Sequence, residues 1–237
     1  SAEEVRDSIL VGTGRLLPRP DGGSAAATLK MVEMRDNGQE AKGIHTAADT
    51  ARHRSLYLPL LRGVTPKSLE AFDPVTQSLV TGKRDATTVP TQALFMLNAA
   101  FVREQALAYG TVLAKDKERT PAQLVAQAYR LILGRPPTDA ESARALAFLT
   151  ESAADFQAGS SGAETVSNPN PILAKTENEA GGEVTGTAAA AVVNPDDVDR
   201  TDALGPDAAV QAGDPAAAAW MGFVQALFAS AEFRYVR

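Results

Sequence analysis

The sequence predicts a mainly α protein: a helical, bundle-like domain with a small extended or hairpin part near the N-terminal third and a disordered acidic insertion. Three observations carry this. Apolar residues recur at three- and four-residue spacing behind clear capping signals in most of the chain. Alternation with period two is confined to one short stretch, Ser55 to Leu60. Residues 158–214 contain almost no large apolar side chains and are rich in Ala, Gly, Ser, Asn, Pro and acids. Such a segment buries too little surface to offset the entropy of ordering it. Residues 1–157 and 215–237 are therefore read as a single helical domain, and 158–214 as a low-complexity insertion.

The elements follow in chain order. Ser1-Ala2-Glu3-Glu4 is a capping box. It opens a helix whose apolar side is Val5, Ile9 and Leu10, and which Gly12 and Gly14 end. Gly12-Thr13-Gly14 follows a helix rather than a strand, so it reads as a helix exit and not as a phosphate loop. Leu29 to Arg35, with the turn candidate Asp36-Asn37-Gly38, can form a hairpin. Pro59 limits Ser55–Leu60 to an edge strand or extended segment. Thr65-Pro66 opens a short helical piece ending near Phe72.

Pro90 suits a first helical turn, and Ala93, Leu94 and Leu97 supply the expected buried side. Asn98 either ends that helix or caps the next, in which Val102, Ala106, Tyr109 and Leu113 share a stripe. Thr120-Pro121-Ala122-Gln123 is a second capping box; Leu124, Ala128, Leu131 and Ile132 continue the pattern until Gly134. Thr138-Asp139-Ala140-Glu141 caps a further helix carrying Ala145, Leu146 and Leu149. After the insertion, Asp214-Pro215 starts the strongest amphipathic helix. In it Trp220, Phe223, Val224, Leu227 and Phe228 fall at i, i+3, i+4, i+7 and i+8. That face must be covered, and the helices before the insertion are the expected cover.

Composition narrows function. The 237 residues include no cysteine, which excludes disulfides, thiolate nucleophiles and C-x-x-C-H haem attachment within them. His45 and His53 are the only histidines, too few for a histidine-rich metal site, and no metal or cofactor is expected. The net charge of −6 is unevenly spread. Residues 158–214 hold ten acids against Lys175 and Arg200, while the remainder holds 21 basic and 19 acidic residues. No dense basic face emerges, so a nucleic-acid partner is disfavoured. No apolar run spans a bilayer.

Groups able to do chemistry gather between Arg52 and Asn98. The candidate polar cluster is Arg54, Tyr57, Asp73, Arg84, Gln92 and Asn98, accompanied by Arg52, His53, Arg62, Asp85 and Thr88. Guanidinium forks match oxyanions bidentately, so the segment is suited to an anionic glycan or another carboxylated or sulfated ligand. The structural alternative is that Arg54 and Arg84 pair with Asp73 or Asp85 to tie loops together. His53 beside Ser55 does not make a hydrolase, because no nucleophile elbow surrounds it. Gly82-Lys83-Arg84 lacks the glycine and hydroxyl residue of a phosphate loop and reads as a charged turn. Asp73 and Asp85 are the attractive carboxylate pair for glycoside hydrolysis. Tyr57, Phe72 and Phe95 offer stacking surfaces for sugars, with core packing as the commoner use of such rings.

Several strings together resemble one family. They include Arg54-Ser55-Leu56-Tyr57-Leu58-Pro59, Phe72-Asp73, Arg84 through Leu94, and Leu97-Asn98 with Phe101-Val102. Further along come Ala128-Tyr129-Arg130-Leu131, Leu133 through Thr138 with Glu141, and finally Trp220, Leu227-Phe228 and Glu232-Phe233. The chain resembles the planctomycete PSD-type domain of unknown function. The resemblance implies the C-terminal module of an exported protein, periplasmic or extracellular, with a cytochrome-c-like haem domain upstream as a partner within the same polypeptide. It brings no established catalytic residues. The function expected is a non-catalytic scaffold or binding module. The alternatives are a hydrolase-like component of polysaccharide processing with an Asp/Arg site, and a docking module for the haem domain.

Overall fold

The computed structural model describes residues 1–19, 48–58, 65–74, 82, 89–160 and 212–234. These residues are mainly helical, in agreement with the sequence. The elements are α1 (Ala2–Gly12), a 3-10 turn (Ser55–Tyr57), α2 (Lys67–Glu70), α3 (Pro90–Asn98) and α4 (Ala100–Lys115), then α5 (Pro121–Leu133), α6 (Asp139–Ser160), α7 (Pro215–Ala229) and α8 (Ala231–Arg234). The hairpin reading of Leu29 to Gly38 lies outside the described residues.

Local chemistry sets the helix ends where the sequence places them. Ser1 Oγ accepts from the Glu4 amide while the Glu4 carboxylate takes the Ser1 nitrogen at 2.6 Å. Thr120 and Gln123 exchange the same two bonds at α5, and Gly134 ends that helix at φ 72°. At α6 the Thr138 hydroxyl accepts from the Glu141 amide at 3.3 Å, and Glu141 reaches back to the Thr138 amide at 2.7 Å. Asp214 accepts from the Ala217 amide to start α7. At the exit of α1, Gly14 takes φ 69°.

α7 is the hub. It packs most extensively on α4 and α6, and also meets α3, α5 and α8. Ala217 to Met221, Phe223, Val224, Leu227 and Phe228 are all buried along it. The expected cover for this face is present: Val102, Ala106, Tyr109 and Leu113 of α4 and Leu124, Val125, Ala128 and Ile132 of α5 share one apolar cluster with it. Each fully buried large side chain contributes about 1.5–3 kcal/mol. At the α4–α7 contact Gly110 is required: a Cβ there would lie 2.7 Å from the Met221 amide nitrogen. Gln225 adds a polar tie, donating from Nε2 to the carbonyls of Leu97 (2.6 Å) and Met96 (3.2 Å). Those carbonyls end α3 and lack helical partners.

Three expectations are corrected, and the choice left open for Asn98 is decided. In α3 the buried residues are Gln92 and Met96, while Leu94 and Leu97 are exposed. A nine-residue helix offers two rival faces, and at about 100° per residue Leu94 points opposite the side that meets α4 and α7. Leu131 is also exposed, because the buried stripe of α5 centres on Val125, Ala128 and Ile132 and leaves Leu131 beyond its edge. Asn98 ends α3 but does not cap α4; Ala99 occupies that position with extended backbone and no side-chain bond. Ser55–Tyr57 forms a 3-10 turn rather than an extended strand. The reason is a tertiary tie: Asp7 holds both the Ser55 amide, at 2.8 Å, and its hydroxyl, at 2.7 Å. Among the described residues, extended pairing survives only as an isolated parallel bridge between Leu17 and His53.

Candidate functional site

The sequence-predicted polar residues fall on different elements. Arg54 is exposed just before the 3-10 turn, and Tyr57 is half-buried within it. Asp73 is half-buried past α2, with φ 50°. Gln92 is buried on α3, and Asn98 is exposed at its end. Arg84, like Asp85, lies outside the described residues. A carboxylate beside Arg54 is Asp7 of α1, with Nε 3.9 Å from Oδ2; of the partners expected for it, Asp73 or Asp85, the second lies outside the described residues. Phe72 and Phe95 pack edge to face at 5.5 Å against the apolar cluster, which is the core use of these rings.

Two polar centres do form, and both escaped the reading of the segment from Arg52 to Asn98. The first surrounds Arg6, whose side chain is fully buried in α1. Its Nη1 donates to the His53 carbonyl at 2.9 Å and to Ser55 Oγ at 3.3 Å, and its Nη2 donates to the Ala51 carbonyl. The guanidinium stacks over the Phe101 ring with Cζ 5.4 Å from the centroid. Asp7 lies 3.7 Å away, and Asp49 accepts from the Ser68 amide at the start of α2. Burial pushes the Arg6 pKa down, while Asp7 and Asp49 pull it back up. The whole arrangement pins residues 51–55 onto α1. Ser55 is buried, and its hydroxyl donates to the Asp7 carboxylate and accepts from Arg6, a structural rather than a nucleophilic use of the group. A signal for Arg6 does exist in the sequence. It sits between Ala2 and Ile9 at i+4 and i+7, inside the buried stripe of α1.

The second centre is Arg135 in the connector between α5 and α6. Its guanidinium takes Glu141 bidentately, at 2.9 Å and 2.8 Å, and Glu232 of α8 bidentately, at 2.5 Å and 2.6 Å. It also stacks on Tyr129 at 5.6 Å. The hydrogen bonds from Arg135 lower the Glu141 carboxyl to about 2, and they lower Glu232 as well. Both carboxylates in turn raise the Arg135 pKa. Every fork of this arginine is occupied, so it is a clamp rather than an anion receptor.

Between α1, residues 54–58 and the end of α5 runs an open groove of about 1410 Å³. Val11, Leu56 and Leu131 border it and are exposed, and the mutually paired Asp7 and Arg54 lie along it. Among the described residues no group of three or more His, Asp or Glu is placed to hold a metal ion. No described helix is long and apolar enough to cross a membrane. No curated protein and no solved structure matches the chain. A family model does match, over residues 1–149, which is more than half the chain. The chain therefore belongs to the PSD1 family of proteins of unknown function (DUF1553).

Proposed function

We propose that this chain is a non-catalytic scaffold or binding module, forming the C-terminal part of an exported multidomain protein. The observation that supports the reading is the commitment of two charged centres among the described residues. Arg6, Asp7 and Ser55 bind one another and the backbone, and Arg135 is saturated by two carboxylates. Catalysis would instead need a nucleophile or base facing an accessible reacting centre. The surface suited to binding is the groove beside α1, where exposed apolar side chains border open space. The partner in this reading is an upstream domain of the same polypeptide, a cytochrome-c-like domain among them.

Two measurements test it. The purified chain should turn over no glycan or ester substrate; turnover that Asp73→Ala abolishes would overturn the scaffold reading in favour of a hydrolase. Val11→Glu combined with Leu131→Glu alters two exposed positions and should leave the circular dichroism spectrum intact. The pair should weaken capture of the upstream domain at least tenfold. Unchanged capture would exclude the groove.

A further inference from the structure

We infer that α7–α8 is a separable helical segment that completes the core by docking against the preceding helices, so that the chain survives cleavage between α6 and α7 as a one-to-one, two-piece protein. The family match ends at residue 149, yet the helix at the centre of the apolar cluster begins at Pro215. Apart from the Asp214 cap, the described contacts that hold that helix come from residues before the 54 numbered 161–214. Three contacts of different chemistry cross that gap.

The first is the apolar seam, in which Trp220, Phe223, Val224, Leu227 and Phe228 sit among the buried residues of α4, α5 and α6. Its closest approach is at Gly110, where backbone of α7 lies against α4 with no room for a Cβ. The second is Gln225, which satisfies the terminal carbonyls of α3. The third is Arg135, which binds Glu232 of α8 with two nitrogens. An apolar seam, a helix cap and a bidentate ion pair together fix axial position, rotation and direction of the docked helix. This is the way a helix is recognised in a groove, by anchors at i, i+3, i+4 and i+7 with polar contacts at the rim.

A tether between docked elements acts through local concentration. A flexible tether of 54 residues would have a root-mean-square span of about 40 Å, which corresponds to an effective concentration on the order of 1 mM. Cutting it and working at 10 µM therefore weakens docking by about 100-fold, not by abolishing any contact.

The experiment uses the full chain with a specific protease site inserted after Gly182. The only tryptophan, Trp220, lies in the seam and is buried, so its emission reports docking. After complete cleavage at 10 µM the two pieces should co-elute one to one, keep the blue-shifted emission and retain the helical spectrum. The melting midpoint should be independent of concentration in the uncut chain and become concentration-dependent after cleavage. A second variant, Gln225→Ala, should stay folded when uncut and bind about tenfold more weakly when cut, the effect of losing two hydrogen bonds. Separation of the pieces at 10 µM would overturn the inference. So would a cooperative melt of the N-terminal piece alone that matches the uncut chain, because α7 would then not complete the core.

Discussion

Replacing Gly110 by alanine sets two effects of known sign against each other. In the interior of a helix alanine is favoured over glycine by about 1 kcal/mol. At this position, however, the new Cβ would stand 2.7 Å from the Met221 nitrogen, 3.0 Å from the Trp220 carbonyl carbon and 3.1 Å from the Met221 Cα. All three are backbone atoms of α7, so no side chain can swing aside; the helices must move apart. Overpacking of this kind costs about 1–3 kcal/mol, and prying open the main seam of the core places the cost at the upper end. The net expectation is a loss of about 1–2 kcal/mol, read as a lower urea midpoint with unchanged m-value. Gly222→Ala is the control. Its Cβ would meet only the Phe148 ring, at 3.4 Å, and that ring is 41% exposed and able to pivot. There the propensity term prevails, and a gain of about 0.5–1 kcal/mol is expected. Both substitutions lie in mid-helix, so a shared sign would refute the reasoning. Stabilisation by Gly110→Ala would mean that α4 and α7 are not in backbone contact.

Arg6→Leu should destabilise by about 3 kcal/mol in urea unfolding, because it strips the Ala51 and His53 carbonyls and the Ser55 hydroxyl of their buried donor. A loss below about 1 kcal/mol would mean that residues 51–55 are held by other contacts. Thr120→Ala removes one half of the α5 capping box and should cost about 1 kcal/mol. Circular dichroism melts would show this as a fall of about 2–4 °C. The Arg135 clamp predicts a pH dependence with a definite sign. Glu141 and Glu232 have folded-state values below the ordinary carboxylate value of 4.5, so their contribution is fully present above that value. It is lost as pH falls toward about 2, the value reached by Glu141. Glu141→Gln should flatten the decline of melting temperature between pH 4.5 and 2, and an unchanged slope would assign acid lability to other groups.

Whatever depends on neighbours along the chain was legible. The caps at Ser1, Thr120, Thr138 and Asp214 lie where hydroxyl or carboxylate residues precede helical runs, since capping is a bond across three residues. The Trp220 stripe was legible for a similar reason: five large apolar residues at helical spacing admit one buried face. The short α3 was not. Leu94 and Leu97 outrank Gln92 in hydrophobicity, yet the face that meets α7 is the one carrying Gln92 and Met96.

The polar sites show the same division more sharply. The concentration of charged and amide residues between Arg52 and Asn98 is a property of the sequence, and so is membership of the matched family. Which of them touch is not. Arg54 found Asp7, which lies 47 positions earlier, and Arg135 found Glu232, 97 positions later. The sequence by itself determined the helices, their ends and the central place of Trp220 through Phe228, because these follow from backbone hydrogen bonding and periodicity. Only the tertiary structure decided which charges became ties. An ion pair is chosen by where rigid helices bring their side chains together, and that depends on the packing of the whole core.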